Sequence, residues 1–317
     1  MSANCSTNLP LVTFAVIAYN QEEYIREAIE GAFSQSYEHL EIILSDDNSI
    51  DRTFEIMREM AANYKGPHAV NVSRQMRNLG LAFHVNTVLE KAQGHYVVLA
   101  AGDDVSEPHR TNTSVNELQN KAALLFHSDV SPIGGALKFS ISELCLFRET
   151  QLNEIATAEK LYLGATGVIA RSLFDKYGPL PYSDIYEDQI FGFRARLEGR
   201  VCYSEEKLVK YRVNIGMSGG SSPLKRGISE YRKRRLFEIK RSLHTSQARL
   251  SDLINSPCAG HSDIVRVLNR AIKNYEIQHS VVKNPFRKIF GKQIILRARE
   301  LIAMARVVAK FKYDIKK

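Results

Sequence analysis

Between residues 11 and 127, short apolar runs alternate with longer segments in which apolar side chains recur every three or four positions. The short runs are rich in β-branched residues and predict strands: LVTFAVIAYN, LEIILSDDNS, AVNVSR, YVVLAA and ALLFHSD. The segments between them predict amphipathic helices: QEEYIREAIEGAFSQSY, IDRTFEIMREMAANY, LAFHVNTVLEKAQG and HRTNTSVNELQNK. Continuous apolar strands joined by helices indicate an α/β protein with a mostly parallel central sheet flanked by helices.

The alternation stops at residues 128–160, which support no assignment. Beyond them the chain predicts a strand and a short helix in LYLGATGVIARSLFDKYG, a helix in YEDQIFGFRARLEG and a pair of strands in VCYSEEKLVKYRV. The glycine- and serine-rich GMSGGSSP at 216–223 predicts a domain boundary. We therefore expect one domain over residues 1–222 and a basic helical region over residues 223–317.

Composition excludes several classes of protein. The chain is 44% hydrophobic and 25% charged, which is ordinary for a globular protein. No apolar run reaches the length of a transmembrane helix, and MSANCSTNLP lacks the features of a secretion signal. The four cysteines form no CxxC pair, which argues against a zinc site or a disulfide framework. A cytoplasmic protein is expected.

The net charge of +8 is concentrated at the C-terminal end, because residues 283–317 hold eleven basic residues against Glu300 and Asp314. EYRKRRLFEIKRSL at 230–243 is also basic and helical in pattern. In 284–317 the apolar side chains share one helical face, so this segment can lie on an anionic membrane surface or pack on the main domain. Both interpretations stay open, whereas no base-stacking module or recognition helix supports nucleic acid binding.

Acidic residues cluster where the predicted strands end. Asp46 and Asp47 close the second strand, Asp103 and Asp104 close the fourth, and Asp129 follows the next. Since the carboxyl ends of parallel strands share one edge of a sheet, these carboxylates should meet there and repel one another unless a cation is present. A DD pair alone is most often a solvated turn, but two pairs in one sheet favour a site for Mg²⁺ or Mn²⁺ bound to phosphate oxygens.

Two familiar nucleotide-binding motifs are absent from the sequence. No GxGxxG follows the first strand, and no GxxxxGK[ST] occurs anywhere. The dinucleotide-binding and P-loop classes are therefore excluded, and a metal ion would have to hold a diphosphate at the acidic edge.

Two long blocks resemble family 2 glycosyltransferases of the kind that build bacterial polysaccharides and O-antigens. They are VIAYNQEEYIREAIEGAFSQSYEHLEIILSDDNSIDRT and RNLGLAFHVNTVLEKAQGHYVVLAAGDD, and the likeness covers about residues 10–215. The resemblance implies an inverting enzyme with the GT-A fold, whose nucleotide-sugar half spans about 10–127 and whose acceptor half spans about 128–222. It further implies a nucleotide diphosphate-sugar donor, with UDP expected, and a glycan or lipid-linked acceptor at the inner face of the membrane.

The family's motifs assign roles to individual positions here. Those that match the nucleotide-sugar pocket are Ala18, Tyr19, Asn20, Asp46, Asp47, Arg77, Asn78 and Asp103. Asp47, with Asp46 beside it, corresponds to the acidic pair that receives the base and ribose. For Asn78, capping of the following helix is an equally good interpretation.

For the metal, the resemblance implies that Asp104 is a ligand and that Asp103 supports the ribose or the metal-bound waters. Two positions depart from the family pattern. Ala101 stands where the DxDD motif has its first aspartate, and Asn214 stands where a histidine often follows YRV. A role of Asn214 at the metal is therefore in doubt.

The resemblance also supplies a catalytic base. An inverting transfer needs a group that takes the proton of the acceptor hydroxyl. In YEDQIFGF, Asp188 matches the base and Glu187 its supporting neighbour. From the residues alone, the helix dipole is the favoured explanation of two acidic side chains in a first helical turn, and the resemblance reverses that preference.

Two other functions compete with glycosyl transfer. A nucleotidyltransferase also combines an α/β sheet with acidic metal ligands, although AYNQEEY lacks the glycine-rich, basic loop usual in that class. A non-catalytic, membrane-associated scaffold that keeps the fold would explain Ala101 and Asn214.

Overall fold

The computed structural model describes most of the chain, which divides into two compact units, Met1–Ser218 and Gly219–Lys317. The described residues are 9–137, 141, 152–213, 215, 227–256 and 262–283. The predicted boundary after residue 222, Asn214 and the basic segment 284–317 lie outside the described residues.

The first unit is built on an eight-stranded sheet with the order β3-β2-β1-β4-β7-β6-β8-β5. The strands are β1 (Val12–Ala18), β2 (Leu40–Asp46), β3 (Ala69–Arg74), β4 (Tyr96–Ala101), β5 (Val105–Ser106), β6 (Leu125–Ile133), β7 (Val168–Ala170) and β8 (Val201–Arg212). The first four strands are parallel, and β1 lies between β2 and β4. This half of the sheet has the arrangement that the apolar runs predict.

Four helices cover the parallel strands: α1 (Ile25–Phe33), α2 (Thr53–Asn63), α3 (Leu81–Lys91) and α4 (Arg110–Asn120). Their buried residues recur at helical spacing, as in Ile25, Ala28, Ile29 and Ala32 of α1. These side chains pack on β1, whose Val12, Phe14 and Val16 have no exposed surface. Burial of these apolar stripes fixes where the strand ends and their loops lie.

The other half of the sheet is mixed rather than parallel. The short strand β7 comes late in the chain but inserts between β4 and β6, antiparallel to both. The regular alternation of residues 11–127 therefore does not form one continuous parallel sheet. Three small residues before β7 form a 3₁₀ turn, Gly164–Thr166, that leads the chain up to β4.

The segment VCYSEEKLVKYRV forms one strand, β8, and the prediction of a strand pair is wrong. Its exposed Glu205 and Glu206 suggest a turn, but they lie at an irregularity in the pairing with β6. There Ser128 pairs with Ser204, and Asp129 then pairs with Lys207. Asp129 thus lies inside β6, and the prediction that it follows a strand end is wrong.

Among residues 152–213, which the structure describes, lie the helices α5 (Leu152–Ile155), α6 (Arg171–Tyr177) and α7 (Glu187–Leu197). The loop before α7 is held against α3, because the Asn86 side chain accepts from the Leu180 amide (2.8 Å) and donates to the Leu180 carbonyl (3.0 Å). Most of α7 is buried, so the position of its first turn is fixed by the core.

The described part of the second unit forms two antiparallel helices, α8 (Gly227–Asn255) and α9 (Ser262–Lys283). Arg232 of α8 donates to the last carbonyls of α9, at 3.0 Å from Val282 and 3.1 Å from Lys283. Three residues further on, Arg235 donates to the Gln278 side chain (3.2 Å). Among the helices that the structure describes, none is both long and apolar enough to cross a membrane.

Candidate functional site

The carboxyl ends of β2, β1 and β4 are level, which brings the two acidic pairs to one edge of the sheet. Ala18 is in register with Asp46, and Ile17 with Ala101. The ladder continues beyond the strands, because the Asp47 amide donates to the Ala18 carbonyl (2.9 Å) and the Gly102 amide to the Ile17 carbonyl (2.9 Å). Both pairs of aspartates therefore follow strand ends at the same edge of the sheet, as the sequence predicts.

Asp46 holds loops together at this edge. Its carboxylate has no exposed surface, accepts from the Ser49 amide (2.9 Å) and hydroxyl, and pairs with Arg74 at 3.4 Å. The same Ser49 hydroxyl accepts from the Asn20 amide (2.8 Å). In this structure Asp46 is enclosed by Ser49 and Arg74, and the nucleotide contact that the resemblance implies for it stays a prediction.

The loop after β1 is bound tightly to the loop after β2. Asn20 adopts a left-handed backbone (φ 52°), and its side-chain oxygen accepts from the Ile50 amide at 2.9 Å. The Gln21 amide donates to the Thr53 hydroxyl at 2.7 Å. Tyr19 is 45% exposed beside them, so its ring faces the space in front of the sheet edge. Ala18 is buried, and its carbonyl accepts the hydrogen bond from the Asp47 amide.

Asp47 connects this edge to the start of α3. Its two carboxylate oxygens accept from the amides of Leu79 (2.8 Å) and Gly80 (2.9 Å). Burial raises the pKa of Asp47, and these two hydrogen bonds oppose the shift. The Asn78 side chain also accepts from the Gly80 amide (3.1 Å), a bond within the turn before α3. The N-cap of α3 is Gly80 and no side chain caps this helix, so the capping interpretation of Asn78 is wrong. The neighbouring Arg77 is exposed.

Gly102 permits the close contact between the end of β4 and the loop after β1. A Cβ atom there would lie 2.5 Å from the Gln21 side-chain oxygen and 2.7 Å from the Ala18 Cβ. Gln21 also donates to the Asp103 carboxylate, whose pKa burial raises. The glycine of GDD is thus required by packing, and the two aspartates after it are both buried.

Asp104 is the most strongly perturbed of these carboxyls. Burial, and then the charge of Asp103, raise its pKa to about 7. The opposing influences are a hydrogen bond from the Arg212 amide (2.7 Å) and the charges of Arg110 and Arg212. A buried negative charge that its neighbours compensate only in part is a favourable place for a cation.

Arg110 lies under this site and was missed by the sequence analysis. It has no exposed surface and donates to the Leu99 carbonyl (2.9 Å) and the Ser106 hydroxyl (2.9 Å). Burial lowers its pKa to about 9, and the charge of Asp104 opposes that shift. The sequence carried a signal, since a cation in the first turn of a helix opposes the helix dipole.

Arg212, the last residue of β8, was also missed. Its Nε donates to the Asp103 carbonyl (2.8 Å), its Nη2 to Glu27 (2.8 Å), and its guanidinium lies 4.6 Å from the centre of the Tyr24 ring. Together with the amide bond to Asp104, these contacts tie β8, the GDD turn and α1 together. Its neighbour in the motif, Asn214, lies outside the described residues.

The carboxylates of Asp103 and Asp104 suit a hard divalent cation, but they do not enclose one. Within the described ranges, no three His, Cys, Asp or Glu side chains are grouped closely enough to hold a metal ion. Mg²⁺ characteristically binds through one or two carboxylates and completes its octahedron with waters and substrate phosphates. The donor set therefore fits an ion that binds together with a phosphate ligand.

Glu187 and Asp188 begin α7 in the other half of the domain. Glu187 is buried against Gly164, where a Cβ atom would collide with its Oε1, and burial raises the Glu187 pKa to about 7. The nearby Tyr162 hydroxyl makes no hydrogen bond to the described residues, and burial and both carboxylates raise the pKa of this phenol. Tyr162 gave no signal in the sequence, because a tyrosine in an apolar run indicates only core packing.

The strand β4 links the two groups of carboxylates. The Gly167 carbonyl accepts from the Leu99 amide (3.1 Å) and from Arg110 (3.4 Å). The turn that packs on Glu187 is therefore bonded to the strand that ends in Asp103 and Asp104. The GATG segment (164–167) is therefore closely packed, and this packing anchors the start of α7.

The raised pKa of Asp104 predicts an effect on stability that depends on pH. The pKa rises from 3.8 to about 7 on folding, so the folded state binds the proton more tightly and unfolding free energy falls as pH rises between these values. Asp104→Asn removes this penalty. At pH 8 without metal, we expect the variant to be more stable than the parent by up to about 4 kcal/mol, at roughly 1.4 kcal/mol per pKa unit.

Urea unfolding at pH 4 and pH 8 measures this difference, which should vanish at pH 4. Asp175→Asn is the control, because Asp175 lies in α6 with 58% of its side chain exposed. If both variants were stabilised equally, or if Asp104→Asn were not stabilised at pH 8, the burial of charged Asp104 would not destabilise the folded state.

The contacts of Arg212 predict a loss of stability on substitution. Arg212→Gln leaves the buried Asp103 carbonyl without its donor and should cost about 1–3 kcal/mol of unfolding free energy. Glu27→Gln breaks only the outer ion pair, in which Glu27 is 55% exposed, and should cost less than about 1 kcal/mol. Denaturant titration of both variants tests this ranking, and equal losses would contradict it.

Solved structures share this fold at low sequence identity. S. aureus TarS in complex with UDP-GlcNAc matches with a TM-score of 0.54 at 18% identity, covering 89% of this chain and 95% of that one. The mannosyltransferase PcManGT from Pyrobaculum calidifontis, in complex with GDP-Man and Mn²⁺, matches with a TM-score of 0.56 at 18% identity, covering 97% and 87%. The predicted α/β GT-A fold is confirmed.

Sequence comparison identifies the family. The putative glycosyltransferase EpsE of Bacillus subtilis (strain 168) is 36% identical over 110 residues, which cover 35% of this chain and 39% of EpsE. Uncharacterized mycobacterial proteins are 37% identical over 115 residues, and the chain spans 33% of their length. The family model Glycosyl transferase family 2 matches residues 13–178, more than half of the 317 residues. The chain belongs to glycosyltransferase family 2.

Proposed function

We propose that this protein transfers a sugar, with inversion at the anomeric carbon, from a nucleotide diphosphate-sugar to a hydroxyl of a glycan or lipid-linked acceptor. The observation that carries the proposal is the buried pair Asp103 and Asp104 at the end of β4, where the Asp104 pKa is raised to about 7. Such a pair favours a divalent cation and, through it, a diphosphate.

The ligands of the structural neighbours support this choice of donor. TarS was solved with UDP-GlcNAc, and PcManGT with GDP-Man and Mn²⁺. We favour a UDP-sugar and either Mg²⁺ or Mn²⁺ for this chain. A bound cation would neutralise the charge that develops on the departing nucleoside diphosphate.

The loops after β1, β2 and β3 would hold the nucleoside. Tyr19 presents an exposed ring at this edge, and Asp47 fixes the turn that carries Arg77 and Asn78. The Asp46–Ser49–Asn20 hydrogen bonds make two of these loops one rigid body, which lowers the entropy cost of ordering a ligand there. Asp103 would face the ribose or the waters around the metal.

Asp188 would act as the general base. The acceptor oxygen attacks the anomeric carbon as its proton passes to the Asp188 carboxylate, and the bond from that carbon to the phosphate oxygen breaks. The electron pair of that bond leaves with the nucleoside diphosphate, so the configuration inverts. Glu187, buried beside Asp188 with a pKa of about 7, would orient the base or contact the acceptor.

The remaining expectations concern the cellular setting. We propose a cytoplasmic enzyme that acts in cell-surface polysaccharide synthesis, with residues 1–222 as the catalytic domain. A membrane-surface contact through 284–317 would bring a lipid-linked acceptor to the site at the inner face. The nine-unit excess of positive charge in 283–317, eleven basic against two acidic residues, supports this contact.

Asp104→Asn should abolish the binding of UDP that depends on Mn²⁺, because the substitution removes a charged ligand while keeping the shape of the side chain. Calorimetric titration of UDP with and without MnCl₂ measures the loss, and circular dichroism checks the fold. Asp175→Asn should bind like the parent. Retention of metal-dependent binding by Asp104→Asn would refute the metal assignment.

Asp188→Asn should lower kcat by about 10²–10⁴-fold, the usual contribution of a general base, and leave UDP binding unchanged. The assay follows nucleoside diphosphate release from a panel of UDP-sugars with simple glycoside acceptors. Turnover by the parent would exclude the scaffold alternative. A variant that remains as active as the parent would remove Asp188 from the mechanism.

A further inference from the structure

One face of α8 combines exposed cations with an exposed aromatic ring. At about 100° per residue, five positions fall within an arc of about 120°: Lys233, Arg234, Phe237, Lys240 and Arg241. We call these five residues the basic face. Lys233, Arg234, Phe237 and Lys240 are all exposed.

The basic face points away from α9. The residues that meet α9 or the interior, Arg232, Arg235 and Ile239, occupy the opposite side of α8. Arg232 and Arg235 bond to α9 directly, and Ile239 is 1% exposed. Packing of α8 against α9 therefore uses the side of α8 that is opposite the basic face.

Phe237 is the feature that a merely solvated charged surface does not explain. Its side chain is 48% exposed, and the Arg241 guanidinium lies 4.6 Å from the ring centre. An aromatic ring surrounded by long cationic side chains matches the composition of helices that lie in a membrane interface. In that position the ring enters the acyl boundary while the cations reach lipid phosphates.

The charge of this segment indicates the kind of surface it would meet. The basic face holds four of the six basic residues in 230–241, because Arg232 and Arg235 bond to α9. One of the four, Arg234, is paired with Glu238 at 3.0 Å. The complement of this face is a dense, negatively charged surface.

We propose that the basic face of α8 docks on an anionic phospholipid bilayer, with Phe237 inserted among the headgroups. This contact is distinct from the one considered for 284–317, and it does not depend on the transfer chemistry. Binding of this type is weak and reversible, and it weakens as salt screens the charges.

Sedimentation of the full chain with vesicles tests the proposal. The protein should bind vesicles that contain phosphatidylglycerol, should not bind phosphatidylcholine alone, and should dissociate at high salt. Lys233→Glu/Lys240→Glu should weaken binding at least about tenfold, since each cation near such a surface contributes roughly 1 kcal/mol. Phe237→Ser should weaken it several-fold.

Matched controls distinguish the contribution of the basic face to vesicle binding from the effects of total charge and of exposed apolar surface. Arg270→Glu/Lys273→Glu makes the same change in charge at two exposed positions of α9. Ile254→Ser removes an apolar side chain that is 66% exposed on the same helix as Phe237. Both controls should bind vesicles like the parent, and circular dichroism should show equal helix content in every variant.

Three results would overturn the proposal. They are unchanged binding of Lys233→Glu/Lys240→Glu, equal loss in the α9 control, or tight binding of an RNA oligonucleotide with none to vesicles. Binding of UDP with Mn²⁺ should be the same in all these variants. A defect in vesicle binding alone is therefore distinguishable from failure of the proposed transfer function.

Discussion

The burial of a negative charge at the end of β4 is the constraint on which the rest of the site depends. A carboxylate removed from water is costly unless charges or donors replace its hydration. Around Asp104 the replacements come from Arg110 below and Arg212 at the side. Burial and the neighbouring charge of Asp103 outweigh these replacements and raise the pKa of Asp104, and this remaining imbalance supports the proposal of a cation site here.

The parallel half of the domain and the position of its acidic edge could be predicted from sequence, because both follow from local periodicity and from where apolar runs end. Roles within the acidic pairs could not. Asp46 and Asp47 are adjacent, yet one is enclosed with Ser49 and Arg74 and the other caps the turn before α3. The different surroundings of Asp46 and Asp47 depend on the direction in which each side chain points from the strand. They also depend on loop conformations that the hydrophobic pattern does not predict.

Long-range contacts account for most of what the sequence could not show. Arg212 reaches Asp104 across 108 residues, and Arg110 reaches Gly167 across 57. In a sequence, Arg212 is indistinguishable from solvated surface charge, and Arg110 is marked only by its place in a first helical turn. The position of β7 in the sheet could not be predicted from sequence either, because its place between β4 and β6 depends on the whole sheet and not on its own three residues.

The hydrogen bond that orients Asp104 comes from the backbone of residue 212 and not from a side chain. Substitution at that position can change the packing around the carboxylate, but every residue type except proline preserves the amide that donates to it. The orientation of the Asp104 carboxylate is thus determined by the main chain and not by the side chain at position 212. A substitution other than proline at position 212 can change the stability of the site, but it keeps the hydrogen bond that orients the Asp104 carboxylate.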